Sequence, residues 1–268
     1  MTIPVVLTIA GSDSSGGAGI QADLKSFAAQ RVYGASVITA LTAQNTLGVS
    51  AIHAVPPAII RAQMDAVFDD LHVRAIKIGM LGNRETISAV AEGLTRRVGP
   101  PIVLDPVMVA QSGAALLDDG AVDALVAALF PHALLVTPNL PEAARLVGGA
   151  VARDEGEMAA QGRLILARGA RAVLIKGGHG SGDMATDMLV TPAGATHFTA
   201  PRLVARHTHG TGCSLSSAIA ALLARGWTLE EAVGQAKSWL GGAIARAGVL
   251  EVGQGSGPVH HFHELWGG

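Results

Sequence analysis

An α/β fold, with a mostly parallel central sheet covered by helices on both faces, is what the sequence predicts, and two observations carry that reading. Short apolar runs recur that are continuous rather than alternating, the pattern of strands buried on both sides. Between them lie segments with apolar residues at helical spacing, the grammar of strand–helix–strand units. The runs cover residues 5–10, 36–41, 75–78, 101–104, 133–137 and 172–175.

The first run leads into a glycine-rich stretch and then a helix carrying Ile20, Leu24 and Phe27 at i, i+4 and i+7. Residues 153–158 read as a polar surface stretch. Residues 184–190 and 196–200, joined by Thr-Pro-Ala-Gly-Ala, predict a hairpin late in the sheet. Leu215, Ile219, Leu222 and Leu223 make one helical stripe. Thr228 and Glu231 form a capping box that opens a last long helix with Val233, Ala236, Leu240 and Ile244 on one face. There is no internal repeat and no linker long enough to divide the chain, so residues 1–268 are expected to form one domain.

Composition narrows the function. Hydrophobic residues at 49% and charged residues at 15% predict a well-buried core rather than disorder. A net charge of −2 and 3% aromatics argue against nucleic acid as a partner, which needs a basic face or a stacking platform. The single cysteine, Cys213, allows no intrachain disulfide and fits a cytoplasmic protein. The N-terminal apolar run lacks a basic flank and reads as a strand, not a signal peptide. The most apolar stretch, residues 121–136, is interrupted by Asp123, Pro131 and His132, so no membrane span is expected.

In open α/β sheets ligands bind beyond the carboxyl ends of the strands. Residues 11–19 (GSDSSGGAG) follow the first run and lead into a helix, a loop whose N–H groups can approach a ligand closely; a plain tight turn explains it equally well. After the second run lies Gln44, whose planar amide pairs one donor with one acceptor and suits a heterocycle with adjacent ring nitrogen and amino group; a loop glutamine in solvent is the plainer reading of the same residue. Asp105 follows the fourth run, where metal or phosphate work and a turn cap are both open readings. Asn139 and Glu142 stand three apart at a helix start. They suit hydrated magnesium, and they equally suit a capping pair. Lys176 precedes a glycine pair and can neutralise phosphate as a point charge, although the chain has no Walker A loop. Gly210, Thr211, Gly212 and Cys213 open an apolar helix: their N–H groups and the helix dipole make an anion hole, and the same position predicts a lowered thiol pKa for Cys213. A metal site among His207, His209, His260, His261 and His263 is disfavoured, because no cysteine or carboxylate stands at zinc spacing.

Taken in order, these stretches resemble the ribokinase-like superfamily, and within it the hydroxymethylpyrimidine/phosphomethylpyrimidine kinases. The matching residues are 10–25 (AGSDSSGGAGIQADLK), 36–46 (SVITALTAQNT), 77–81 (KIGML), 104–110 (LDPVMVA), 137–142 (TPNLPE), 176–178 (KGG), 207–215 (HTHGTGCSL) and 257–263 (GPVHHFH). The resemblance implies a Rossmann-like three-layer fold, ATP as donor, Mg²⁺ as cofactor, a homodimer, and two successive phosphorylations that serve thiamine biosynthesis. It implies a pyrimidine pocket of Gly11, Ala18, Asp23, Gln44, Met80, Val107 and Cys213. It places phosphate and metal chemistry at Asp105, Asn139, Glu142, Lys176 and the 210–213 hole, with metal held by Asp105 and Glu142 and with Lys237 near the phosphates. Cys213 is expected to take or relay the proton. The sequence departs from the family pattern at Gln111, where relatives often carry Lys, and at Ser214, where they often carry Thr. The rival readings are a pyridoxal or dual pyrimidine/pyridoxal kinase, and a non-catalytic pyrimidine-binding sensor.

Overall fold

The computed structural model describes residues 2–97, 99–110, 113–179 and 182–266; Gln111 lies outside them. In chain order the elements are β1 (Val5–Ala10), α1 (Gly19–Ala29), β2 (Tyr33–Ile38), β3 (Ala40–Asn45), β4 (Gly48–Ala54), α2 (Pro57–Asp70), β5 (Val73–Ile78), α3 (Arg84–Thr95), β6 (Ile102–Leu104), α4 (Val122–Leu129), β7 (Leu135–Val136), α5 (Leu140–Val147), α6 (Glu155–Leu166), β8 (Val173–Ile175), β9 (Met184–Thr191), β10 (Gly194–Pro201), α7 (Thr211–Ala224) and α8 (Leu229–Ala245). The main sheet runs β10-β9-β8-β7-β6-β5-β1-β2. Strands β2 to β8 within it pair in parallel, and the β9/β10 hairpin adds the antiparallel edge that residues 184–200 predict.

Two cores flank the sheet, as both-face burial of the apolar runs requires. On one face Met64, Ile87, Leu125, Phe130, Leu146 and Ile165 pack beneath α2 to α6. On the other, Phe27, Leu215, Ile219, Leu222, Trp239 and Leu240 pack α1, α7 and α8 against the strands. Both capping boxes form, Asn139 with Glu142 and Thr228 with Glu231, each holding a helix start by reciprocal bonds. Among the described residues no helix is long and apolar enough to cross a membrane.

One local expectation is corrected. The apolar run 36–41 is not one strand. It breaks at Thr39, whose N–H donates to Ala10 O at 3.0 Å and whose hydroxyl donates to Met80 O at 2.7 Å. The chain leaves the main sheet there and enters β3, which pairs antiparallel with β4 as a separate two-stranded sheet. Gln44 therefore sits on a strand of that hairpin rather than in a loop. The polar stretch 153–158 is at the surface as expected, exposed at residues 153–156, and it opens α6, with Asp154 capping the helix by accepting from Glu157 N at 2.8 Å.

Candidate active site

At the carboxyl end of β1 the chain turns back on Asp13. Its buried carboxylate accepts from Ser15 N at 2.8 Å, Ser15 Oγ at 2.7 Å, Gly17 N at 3.1 Å and Ala18 N at 2.8 Å, and its Oδ2 lies 2.8 Å from His209 Nε2. Burial raises its pKa, but the bonds from His209, Ser15 and Ala18 win and hold Asp13 at about 2. The glycine loop is thus tied to the segment before α7. Gly210 makes that contact possible: its φ is +79°, and a Cβ there would stand 1.9 Å from Gly17 O.

A charged half of the candidate site gathers around the first turn of α7. Lys176 Nζ lies 2.8 Å from Asp105 Oδ1, which also accepts from Thr137 Oγ1 at 3.1 Å. A Cβ on Gly212 would stand 3.2 Å from Lys176 Nζ and 3.5 Å from Asp105 Oδ2, so the helix start lies directly against the ion pair. The N–H groups of Gly212 and Cys213 belong to the first helical turn, which has no intrahelical acceptors. Burial lowers the pKa of Lys176, but Asp105 and Glu142 outweigh it and hold the ammonium charged. Glu142 is raised to about 7, first by burial and then by Asp105, with Lys176 opposing.

The opposite half is built around a hydroxyl, an amide and an imidazole. Ser14 Oγ accepts from Gln44 N at 2.9 Å, pinning β3 to the glycine loop, and Gln44 Nε2 lies 3.3 Å from His209 Nε2. A cleft of about 270 Å³ opens here, lined by Gln44, Thr46, Ala110, His209, Gly255 and Ser256 among others. Met80 lies deeper: a Cβ on Gly11 would meet its Sδ at 2.9 Å. Ala18 and Val107 are half-buried. Residues 44 and 210–213 therefore meet through His209, as a single site demands.

Several expected site residues sit differently from their assigned roles. Asp23 is fully buried and faces Lys77 Nζ at 2.8 Å, Thr8 Oγ1 at 2.6 Å and Ser217 Oγ at 2.7 Å, so its carboxylate supports the floor under α7. The Asn139 side chain accepts from Glu142 N at 2.9 Å, and Asn139 N donates back to Glu142 at 2.8 Å; the capping reading accounts for both residues' first contacts. Lys237 is paired with Asp187 at 2.7 Å, and Asp187 also accepts from Gly177 N at 2.8 Å, so this lysine braces the segment after Lys176. The lowered thiol of Cys213 is overturned. Burial pushes it up to about 11 despite Lys77 nearby, with Asp23 and Asp105 adding to the rise. Desolvation and two carboxylates outweigh the helix dipole, so the thiol is protonated at neutral pH.

Lys77, Asp13 and His209 are the residues the sequence reading passed over as site residues. A lysine inside an otherwise apolar strand, the KIGML stretch, is the signal that marks Lys77. Among the described residues no group of three or more His, Cys, Asp or Glu side chains is arranged to hold a metal. His261, in the C-terminal histidine segment, instead meets Ser214 Oγ at 2.9 Å, and burial holds it down to about 3.

The chain resembles known proteins along nearly its whole length. It is 59% identical over 262 residues to a hydroxymethylpyrimidine/phosphomethylpyrimidine kinase of Rhizobium meliloti, covering 98% of both chains. It is 52% identical over 257 residues to a thiamine biosynthesis bifunctional protein of Geobacter sulfurreducens, of which it spans 52%. Among solved structures, pyridoxal kinase from Staphylococcus aureus in complex with AMP-PCP and pyridoxal superimposes with a TM-score of 0.89 at 33% identity, over 97% of this chain and 94% of that one. Residues 13–260 match the family model for phosphomethylpyrimidine kinase. With the fold and the glycine loop in place, this chain belongs to the phosphomethylpyrimidine kinase family.

Proposed function

We propose that this chain transfers the γ-phosphoryl group of ATP to the hydroxymethyl oxygen of 4-amino-5-hydroxymethyl-2-methylpyrimidine, and then phosphorylates the monophosphate to the diphosphate used in thiamine biosynthesis. One observation carries the reading: the Lys176–Asp105 ion pair lies against Gly212 at the first turn of α7, with Cys213 next in the chain and the Gln44–His209 edge across the site. The relatives' names supply the reaction class, and the AMP-PCP complex of a similar fold supports ATP as donor.

Phosphoryl transfer needs alignment and charge neutralisation more than covalent chemistry. The Gln44 amide and the apolar walls of Met80 and Val107 orient the ring. Lys176 and the N–H groups at the start of α7 neutralise charge on the transferring group, as an oxyanion hole does. Asp105 and Glu142 place two carboxylates around one ammonium, and the rise of Glu142 to about 7 marks a site short of positive charge. Asp105 and Glu142 would hold hydrated Mg²⁺, which needs few protein ligands and would supply further neutralisation of the phosphate charge. Cys213, protonated at rest, packs against the hydroxymethyl group and relays its proton late in transfer, giving its own thiol hydrogen to an oxygen of the transferring phosphoryl group as it accepts the one leaving the hydroxymethyl oxygen. Asp23 acts from below through Lys77. The active form is a homodimer in the cytoplasm; Leu41, Leu47 and Ile52, exposed on the β3/β4 hairpin, supply an apolar surface for the second copy.

The test offers the purified protein ATP and Mg²⁺ with hydroxymethylpyrimidine, its monophosphate and pyridoxal in parallel, with products weighed by mass spectrometry. Sequential appearance of pyrimidine mono- and diphosphate is expected. Phosphorylation of pyridoxal alone would replace this reading by the pyridoxal kinase one, which the similarity of fold to that enzyme keeps in contention.

A further inference from the structure

His209 touches both the most heavily bonded carboxylate in the site and the amide proposed to read the ring, and proton counting at those contacts fixes an orientation. Asp13 accepts from three backbone N–H groups and the Ser15 hydroxyl, and stays ionised. An ionised carboxylate is acceptor-only, so the nitrogen 2.8 Å from its Oδ2, His209 Nε2, must carry the hydrogen. That same N–H faces the Gln44 amide at 3.3 Å. With the amide nitrogen turned toward it, two donors would oppose each other.

The far end of the amide has the matching problem. Thr42 Oγ1 lies 2.7 Å from Ser12 O and 3.2 Å from Gln44 Oε1. A hydroxyl has one hydrogen, and the shorter bond to Ser12 O takes it. Thr42 then presents a lone pair to Gln44, and an amide oxygen there would oppose it. Both conflicts vanish if the amide is turned over, since its oxygen and nitrogen are nearly equivalent in shape. The oxygen then faces the single Nε2 hydrogen of His209, which it shares with Asp13 as the longer of the two contacts, and the nitrogen donates to Thr42.

We propose that His209, held by Asp13, is a positioning residue that fixes the polarity of the Gln44 amide, and so sets which donor–acceptor edge of a heterocycle the cleft accepts. This rests on the pyrimidine reading of the site. The amide's second lone pair and its second N–H remain for ligand. They call for a ligand donor on the His209 side and an acceptor on the Thr42 side, which is the edge of a 4-aminopyrimidine with its exocyclic amine toward His209. Two further features hold the ring in register: His209 N donates to Gly257 O at 3.1 Å, and Gly17 carries no Cβ, which would stand 2.4 Å from the imidazole Cδ2.

Two measurements test this. Long-range ¹H–¹⁵N correlation spectra of the unmodified protein should show His209 protonated at Nε2; a bare Nε2 would overturn the assignment, whatever the substrate proves to be. Binding is then compared by calorimetry for the 4-amino pyrimidine and its 4-oxo analogue, whose edge reverses donor and acceptor, in the unmodified protein, His209→Phe and His209→Gln. Discrimination between the two ligands should fall about ten-fold in His209→Phe, the scale of one or two hydrogen bonds, and largely return in His209→Gln. A purely structural role would weaken both ligands equally and leave their ratio unchanged, which would refute the proposal. If the unmodified protein bound neither ligand, the pyrimidine reading would fall, and the spectra alone would decide the polarity of the Asp13–His209 pair.

Discussion

At one end of the candidate site, Lys77, Asp23, Asp105, Lys176 and Glu142 form a largely buried charged cluster; at the other, Ser14, Thr42, Gln44 and His209 exchange hydrogen bonds beside an open cleft. The first half works by charge in a poorly solvated setting, where each unit is strongly felt. The second works by direction, with groups that must be aimed rather than merely present. The contrast teaches that damage should separate: loss at the charged end should act on the chemical step, and loss at the neutral end on ligand choice.

The largest expected break is Lys176→Met, which leaves Asp105 without its partner and removes the cation beside Gly212. Turnover should fall ~10²–10³-fold, the scale of losing one preorganised charge or oxyanion-hole donor, while calorimetric affinity for the free pyrimidine stays within about two-fold. Equal losses in both would merge the two halves. Gln44→Ala sharpens the comparison from the other side. Its Kd for the pyrimidine should rise about ten-fold or more, with single-turnover rate at saturation little changed.

Cys213→Ala lies between the halves. A resting thiolate base would predict a loss of ~10²-fold or more. The thiol is instead pushed up to about 11 and protonated, so the expected loss is only about ten-fold, and the rate should not climb ten-fold per unit between pH 7 and 9. A resting thiolate would also leave the rate flat there, so the size of the loss in Cys213→Ala decides between the two; a log-linear rise would instead show catalysis through the minor thiolate form of a thiol that titrates above pH 9. The smallest effect is on stability. Glu142 titrates at about 7 in the folded chain against an ordinary 4.5. The folded state then holds its proton more tightly than the unfolded one, so stability declines as pH rises from about 4.5 through about 7. Glu142→Gln should remove that component, shrinking the difference in Tm between pH 5 and pH 8 by ~2–4 °C in scanning calorimetry.

Much of the frame was legible because it depends on local rules. The apolar runs marked the strands, and Thr228 with Glu231 and Asn139 with Glu142 marked helix starts. The hairpin of β3 and β4 was not legible. A continuous apolar run looks the same whether or not it bends, and Thr39 bends it through bonds to partners far along the chain. The state of Cys213 was misread because a helix start is a local feature, whereas desolvation and the nearby Asp23 and Asp105 carboxylates come from the packing around it.

The sequence by itself determined the layered α/β plan, the glycine turns at the strand ends and the residue types assembled there, since periodicity and backbone freedom are written in neighbouring residues. Only the tertiary structure decided which charges meet and which are spent on each other. Asp13 and His209 stand 196 positions apart, Asp23 and Lys77 54 apart, and Lys237 and Asp187 50 apart. Protonation and hydrogen-bond direction depend on distances of a few ångströms, and those distances exist only once the sheet has brought its strand ends to a common edge.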